Sequence, residues 1–135
     1  MRSVPVKSNP RRILLADDDP KVCSALRLIL EEEPDLRVVC EVNDERGLFA
    51  YLQAMNGATS SADLPELLLI DWELPGLNPA EQLPALRAAC PDLKLIALSV
   101  RMEVQQAAML AGVDAYISKS DPPDRVMAAL RSLLV

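Results

Sequence analysis

The sequence predicts an α/β fold in which a parallel sheet carries helices on both faces. Three observations lead there. Five short apolar runs recur along the chain. Between them lie stretches whose apolar residues repeat at helical spacing. Proline, glycine and Asp/Asn punctuation separates each run from the stretch after it. Strict alternation of strand and helix is the pattern of βα units, and right-handed crossovers limit how such units connect.

Each element has its own signal. Arg12 to Ala16, "RILLA", reads as a first strand, ended by "DDDP". Pro20 suits the first turn of a helix, and Val22, Ala25, Leu26, Ile29 and Leu30 form its apolar face through Glu33. Pro34-Asp35 breaks that helix, and Leu36 to Val42 is β-rich. Asn43 is placed to cap a second helix carrying Leu48, Tyr51, Leu52 and Met55. Residues 56–65, "NGATSSADLP", form a polar loop. Leu67 to Asp71 is an apolar run that reads as a strand buried on both faces, and Leu74-Pro75-Gly76 turns the chain after it. Pro79 to Cys90 is helical, with Pro84 expected to shorten or kink it. Lys94 to Ser99 is the fourth strand, Val104 to Ala111 a short helix ended by Gly112, and Ala115 to Ser118 the fifth strand. Pro122 to Leu134 is the last helix, with Val126, Ala129, Leu130 and Leu133 inward.

Composition narrows the function. The chain has 135 residues, half of them hydrophobic, and a net charge of −6. That length holds one domain with a real core. The acidic balance, with no long basic run, argues against direct nucleic-acid binding. No apolar run is long enough to cross a bilayer. Met1 to Pro10 lacks the apolar core of a secretory signal. Cys23, Cys40 and Cys90 show no metal or redox spacing, so free thiols in a reducing cytoplasm are expected. The chain has no histidine, which excludes within it the zinc and triad chemistries that need one.

Parallel sheets bind ligands beyond the carboxyl ends of their strands. Five polar residues fall there: Asp17 and Asp18 after the first strand, Asp71 ending the third, Ser99 ending the fourth and Lys119 after the fifth. Each alone has a plainer reading. "DDDP" suits a helix N-terminus, and a lone lysine is usually a solvated one. Together they make one cleft if the first, third, fourth and fifth strands are neighbours. Crowded carboxylates raise one another's pKa values, and a hard divalent cation relieves the repulsion. A lysine and a hydroxyl beside Mg²⁺ suit a phosphoryl group. A carboxylate can then act as nucleophile and become an aspartyl phosphate.

"ILLADDDP", "LLLIDWELPG", "LIALS" and "AGVDAYISK" resemble the four signature segments of the response-regulator receiver domain of two-component signalling. The resemblance spans about residues 12 to 134, leaving residues 1–11 as a flexible N-terminal segment and 12–135 as the receiver. It implies a flavodoxin-like sheet of order 2-1-3-4-5. It implies that Asp71 accepts a phosphoryl group from a histidine kinase or a phosphotransfer protein. Asp18 and Asp71 would ligate Mg²⁺ directly with the backbone carbonyl of Glu73, and Asp17 through a bound water. Ser99 would bind the phosphoryl oxygen, Lys119 would pair with it or with Asp71, and Tyr116 matches the family's switch aromatic. On this reading the chain is a signalling domain and not an enzyme, beyond accepting the phosphoryl group from a donor and losing it again. "KSDPPDRV" resembles the branch that usually carries a helix-turn-helix output domain. No such domain follows in this sequence, which reads as a stand-alone receiver or a shortened one.

Some features depart from the family. Ser120 stands where proline often follows the lysine, so no cis peptide is implied. The segment from Ser99 to Gly112 is slightly short, and the loop at 56–65 is long. Val100 is bulky and would narrow access to Asp71. Glu73 and Arg101, each two residues beyond a site residue, are placed to pair across the cleft mouth. Met127 and Leu134 suggest a weak homodimer surface on the last helix, with simple packing as the alternative. Two rival readings remain: a degenerate receiver serving only as an interaction module, and a phosphatase of the haloacid-dehalogenase type. The second needs a further strand with an acidic pair after the lysine, and the residues after Lys119 read as one helix.

Overall fold

In the computed structural model, residues 10–56 and 64–134 are described. The order of elements is β1 (Arg11–Ala16), α1 (Pro20–Glu31), β2 (Leu36–Val42), α2 (Glu45–Asn56), β3 (Leu67–Asp71), α3 (Pro79–Ala89), β4 (Lys94–Ser99), α4 (Val104–Ala111), β5 (Ala115–Ser118) and α5 (Pro123–Leu133). The five strands form one parallel sheet of order β2-β1-β3-β4-β5. The expected flavodoxin-like arrangement is therefore the one observed.

Period-two alternation along the strands sends successive side chains to opposite faces. Leu14, Ala16, Leu68, Ile70, Leu95 and Ala97 face one side, where Leu48, Leu52, Leu83, Leu86, Val104 and Ala108 of α2, α3 and α4 cover them. Ile13, Leu15, Leu67, Leu69, Ile96, Leu98 and Ile117 face the other, under Leu26 and Leu30 of α1 and Val126 and Leu130 of α5. This is why the third strand reads as unbroken apolar sequence: all five of its residues are buried. Truncating a core leucine such as Leu68, fully buried, to alanine would cost about 2–5 kcal/mol.

Several boundaries differ from the sequence reading. β1 takes in Arg11, because its backbone N–H bonds to Asp35 O at 2.8 Å and its guanidinium pairs with Glu66; Arg11 is thus in the sheet and not in a flexible segment, and residues 1–9 lie outside the described residues. Asp44, not Asn43, caps α2: its Oδ1 accepts from Gly47 N at 2.7 Å, and Leu48 N donates to its carbonyl. α3 runs from Pro79 to Ala89, one residue short of the expected Cys90, with Pro84 inside it on the exposed side. α5 begins at Pro123, with Pro122 as its extended N-cap. Val39 is an extra residue in β2, where the pairing slips between Ile13–Val38 and Leu14–Cys40. Cys23, absent from the expected apolar face of α1, is buried, whereas Ala25 is exposed. Much of the loop at 56–65 lies outside the described residues.

The surface suggested for a homodimer is not free. Leu134 is buried in the core beneath α5, and Met127 packs against the same cluster. The amphipathic spacing was real, but the flank it marks packs inward. No helix among the described residues is long and apolar enough to cross a membrane. The described peptide bonds are trans throughout, Lys119–Ser120 included.

Candidate functional site

Register alone brings the polar residues level. Ala16 pairs with Ile70, so the next residues, Asp17 and Asp71, leave adjacent strands side by side. Asp71 is opposite Leu98, and Ser99 is opposite Ser118, which puts Ser99 one step and Lys119 two steps further along. Chain-turning residues end the strands at this level. Asp19 caps α1 through Lys21 N, and Gly76, at φ 84°, completes the turn after β3 in the left-handed region that glycine tolerates.

Asp17 and Asp71 are each 3 % exposed and Ser99 is fully buried, whereas Asp18 is exposed. Carboxylate oxygens of Asp17, Asp18 and Asp71 lie within 4.8 Å of one another. Lys119 Nζ stands 2.7 Å from Asp17 Oδ2 and 3.3 Å from Asp71 Oδ2. Asp17 Oδ1 accepts from Asp19 N at 2.9 Å, and Asp71 Oδ1 accepts from Glu73 N at 3.0 Å. Ser99 Oγ accepts from Arg101 N at 3.0 Å, and Tyr116 OH donates to Arg101 O at 3.0 Å. Glu73 Oε2 and Arg101 Nε form the expected ion pair, 2.9 Å apart. Val100 lies in the bend just past β4 and is 67 % exposed.

Electrostatics follow from burial. Desolvation pushes the Asp71 carboxyl above its usual range; the Glu73 N–H opposes this, the Asp17 charge adds to it, and Lys119 counters it. Burial, more than carboxylate crowding, is thus the leading cause. Desolvation works against the Lys119 charge, but the hydrogen bond with Asp17 and the attraction of Asp71 outweigh it and raise its pKa. Burial also raises the Tyr116 pKa, helped by nearby Asp121, Glu103 and Glu73.

The donor set fits a hard divalent cation. Asp17 Oδ2 is fully buried and, beyond the Lys119 ammonium, has no hydrogen-bond donor. Two buried carboxylates and one exposed one suit Mg²⁺, which binds through one or two carboxylates and keeps several waters. The exposed Asp18 leaves the solvent side open for a hydrated ion.

Asp17, Asp18, Asp71 and Lys119 therefore meet in one cluster; the Glu73 N–H reaches Asp71, Ser99 ends the neighbouring strand, and Tyr116 is joined to the loop after β4. Sequence reading missed the backbone of Arg101, which holds both Ser99 and Tyr116. Backbone groups carry no residue-type signal, so no motif could have shown it. A cleft of about 420 Å³, lined in part by Arg11, Glu66, Asp92 and Lys94, lies at the opposite ends of the strands, away from these carboxylates.

The response regulator receiver domain family matches residues 13–131. The chain belongs to that family. As such it is a receiver domain of two-component response regulators, a family in which aspartyl phosphorylation and Mg²⁺ are general features. The receiver is similar to the nitrate/nitrite response regulator protein NarL of Escherichia coli (strain K12), at 31% identity over 124 residues, covering 90% of this chain and 53% of NarL. The response regulator UvrY of the same strain is 29% identical over 123 residues, with 90% and 53% covered. The chain spans about half the length of these curated relatives. Among solved structures, a response regulator receiver domain protein (CheY-like) from Methanospirillum hungatei JF-1 superposes with a TM-score of 0.74 at 25% identity, covering 93% of this chain and 94% of that one. RcsB of Salmonella enterica serovar Typhimurium, bound to promoter rprA in the presence of the phosphomimetic BeF3-, shares the fold with a TM-score of 0.77 at 22% identity, covering 93% and 61%.

Proposed function

We propose that this receiver accepts a phosphoryl group on Asp71 and that Asp17, Asp18, Asp71 and the Glu73 carbonyl hold the Mg²⁺ that assists it. One observation carries the reading. Asp71 is buried at the end of β3 with one oxygen on the Glu73 N–H, and its other oxygen faces Lys119. Burial and these contacts fix the carboxylate for in-line attack, so little orientation is lost at the moment of transfer. A carboxylate oxygen attacks phosphorus and the bond from phosphorus to the leaving group breaks. Its electrons leave on imidazole nitrogen from a phosphohistidine, or on acetate from acetyl phosphate. Bound Mg²⁺ supplies charge neutralisation for the phosphoryl oxygens. Lys119 then pairs with the phosphoryl group in place of Asp71, and the Ser99 hydroxyl donates to it. In hydrolysis water attacks phosphorus, the bond from phosphorus to the Asp71 oxygen breaks, the Asp71 carboxylate is restored and inorganic phosphate leaves.

The partner that supplies the group is a histidine kinase or a phosphotransfer protein, and the output is a change in a partner or output interface. The switch would begin at Arg101. Ser99 can move toward a phosphoryl group only by loosening the bond from Arg101 N, and the same residue's carbonyl holds Tyr116. Cytoplasmic placement fits three free thiols, one buried and two half-buried. A weak homodimer loses its proposed Leu134 surface, and sedimentation of the phosphorylated chain tests what remains of it.

The deciding experiment is intact mass after incubation with acetyl phosphate, with and without Mg²⁺. One added phosphoryl group is expected, dependent on Mg²⁺ and absent in Asp71→Asn. A gain that survives in Asp71→Asn refutes the site. No gain in the wild type favours the degenerate interaction module, and turnover of a phosphomonoester favours the phosphatase.

A further inference from the structure

Lys119 reaches the two buried carboxylates from a turn that contains no proline, so something else must hold that turn. Residues 118–121 show what does. Ser118 N donates to Asp121 Oδ2 at 3.0 Å, and Asp121 N donates back to Ser118 O at 2.9 Å. Ser120 N donates to Ser118 Oγ at 3.2 Å, and the Ser118 and Ser120 hydroxyls are 2.8 Å apart. Lys119 N donates to Ser99 O at 2.9 Å. All four backbone N–H groups of the turn are bonded. The reciprocal pair between Ser118 and Asp121 has the spacing of a capping box, Ser-x-x-acid. Here α5 starts only at Pro123, so the device locks a turn rather than a helix. Because β5 is an edge strand, its outer backbone groups have no strand partner; Asp121 covers one of them.

We propose that Asp121 is a positioning residue for phosphoryl acceptance at Asp71, acting through Lys119. This rests on the Asp71 reading above. The Lys119 side chain is long and rotatable, so its ammonium is only as well placed as the backbone it grows from. Asp121 fixes that backbone, and the ammonium then sits between Asp17 and Asp71 with its side chain 13 % exposed. A plainer role for Asp121 would be its charge, beside the start of α5 and near Tyr116. The two roles separate cleanly, because asparagine keeps the acceptor oxygen and loses the charge.

The test uses the whole chain with Mg²⁺ and acetyl phosphate, reading phosphoryl uptake by intact mass. Asp121→Ala should lower the rate at saturating donor on the order of tenfold, the scale seen when a residue that orients a functional group is lost. Asp121→Asn should stay close to the wild-type rate. In a Lys119→Ala background, Asp121→Ala should cause no further loss, since residues acting through one another are not additive. Amide hydrogen exchange, without donor or metal, should quicken at Ser118 and Lys119 in Asp121→Ala and not in Asp121→Asn. The proposal is overturned if Asp121→Ala matches the wild type, if Asp121→Asn fails to rescue, or if the loss persists in the Lys119→Ala background. A wild-type chain that takes up no phosphoryl group overturns the Asp71 reading first. A wild type that is phosphorylated no faster than Asp121→Ala overturns the positioning role alone.

Discussion

Glu73 and Arg101 pair across the mouth of the Asp71 cleft, with Oε2 and Nε 2.9 Å apart. Each belongs to a loop that grips a site residue: the Glu73 N–H holds Asp71 Oδ1 and the Arg101 N–H holds Ser99 Oγ. The pair therefore joins the loop after β3 to the loop after β4. Both side chains are well exposed, at 41 % and 58 %, so the pair is worth no more than about 1 kcal/mol.

The first prediction concerns the lifetime of the phosphorylated form. In the lid reading, water approaches in line past this pair to hydrolyse the aspartyl phosphate. Opening a contact of up to about 1 kcal/mol limits the gain to about fivefold in rate. Arg101→Ala and Glu73→Ala are each expected to speed decay within that limit, with the melting temperature unchanged. Decay of the phosphorylated protein, followed by intact mass, checks it. If neither variant decays faster, the pair is not a lid.

A second prediction comes from the raised pKa of Asp71. Its folded-state value lies above the ordinary one because of burial. The linked stability is present at acid pH and is lost as pH rises through that folded pKa. Ionised Asp71 thus works against the fold at neutral pH. Asp71→Asn is expected to melt higher than the wild type at pH 7 without metal, with the gap closing as pH falls below the folded pKa. Equal melting temperatures across the range would show that Lys119 fully compensates the charge.

Metal linkage gives a third. A cation that binds only the folded chain stabilises it by about 2.7 kcal/mol at a hundred times its Kd. Mg²⁺ should therefore raise the wild-type melting temperature, and EDTA should reverse the rise. Asp17→Asn and Asp71→Asn should weaken it, because each removes a buried carboxylate of the cluster. Mg²⁺ that stabilises Asp71→Asn as much as the wild type would place the ion elsewhere.

The sequence carried most of this site, for a physical reason. Strand ends in a parallel sheet are marked by side-chain chemistry: apolar runs stop at Asp71, Ser99 and Ser118-Lys119, and register then makes those stops neighbours. The Glu73–Arg101 pair was legible because both lie two residues beyond a strand end. What was not legible depends on groups or packing that sequence does not encode locally. Arg101 works on Ser99 and Tyr116 through its backbone. For Leu134 the sequence allows a surface or simple packing, and the fold decides for packing: its carbonyl accepts from Arg11 on strand β1 and its side chain is buried. Asn43 and Asp44 are both good caps, and only the path of the chain chose between them.

The last prediction tests the far edge of the sheet, where α3 meets α4. The Arg87 guanidinium donates to Leu93 O at 2.9 Å, Gly112 O at 2.7 Å and Asp114 Oδ2 at 2.8 Å. Asp114 Oδ2 also accepts from Leu95 N at 2.8 Å. One side chain thus ties the last turn of α3 to the start of β4 and to the end of α4. That end needs the tie, because Gly112 turns the chain at φ 108° and leaves its carbonyl outside the helix ladder. Arg87→Ala would leave two carbonyls and a half-buried carboxylate without this donor. A loss of about 1–3 kcal/mol is expected, in the range for hydrogen bonds to charged groups. Arg87→Lys should recover only part of it, since an ammonium cannot reproduce the guanidinium fork. Phosphoryl uptake by the folded variant should stay at the wild-type rate, because Arg87 lies at the opposite ends of the strands from Asp71. Urea denaturation and acetyl phosphate uptake, measured on the same samples, check both halves. A variant as stable as the wild type would show the brace to be slack, and one that is folded yet slow to take up phosphate would show that the edge and the site are coupled.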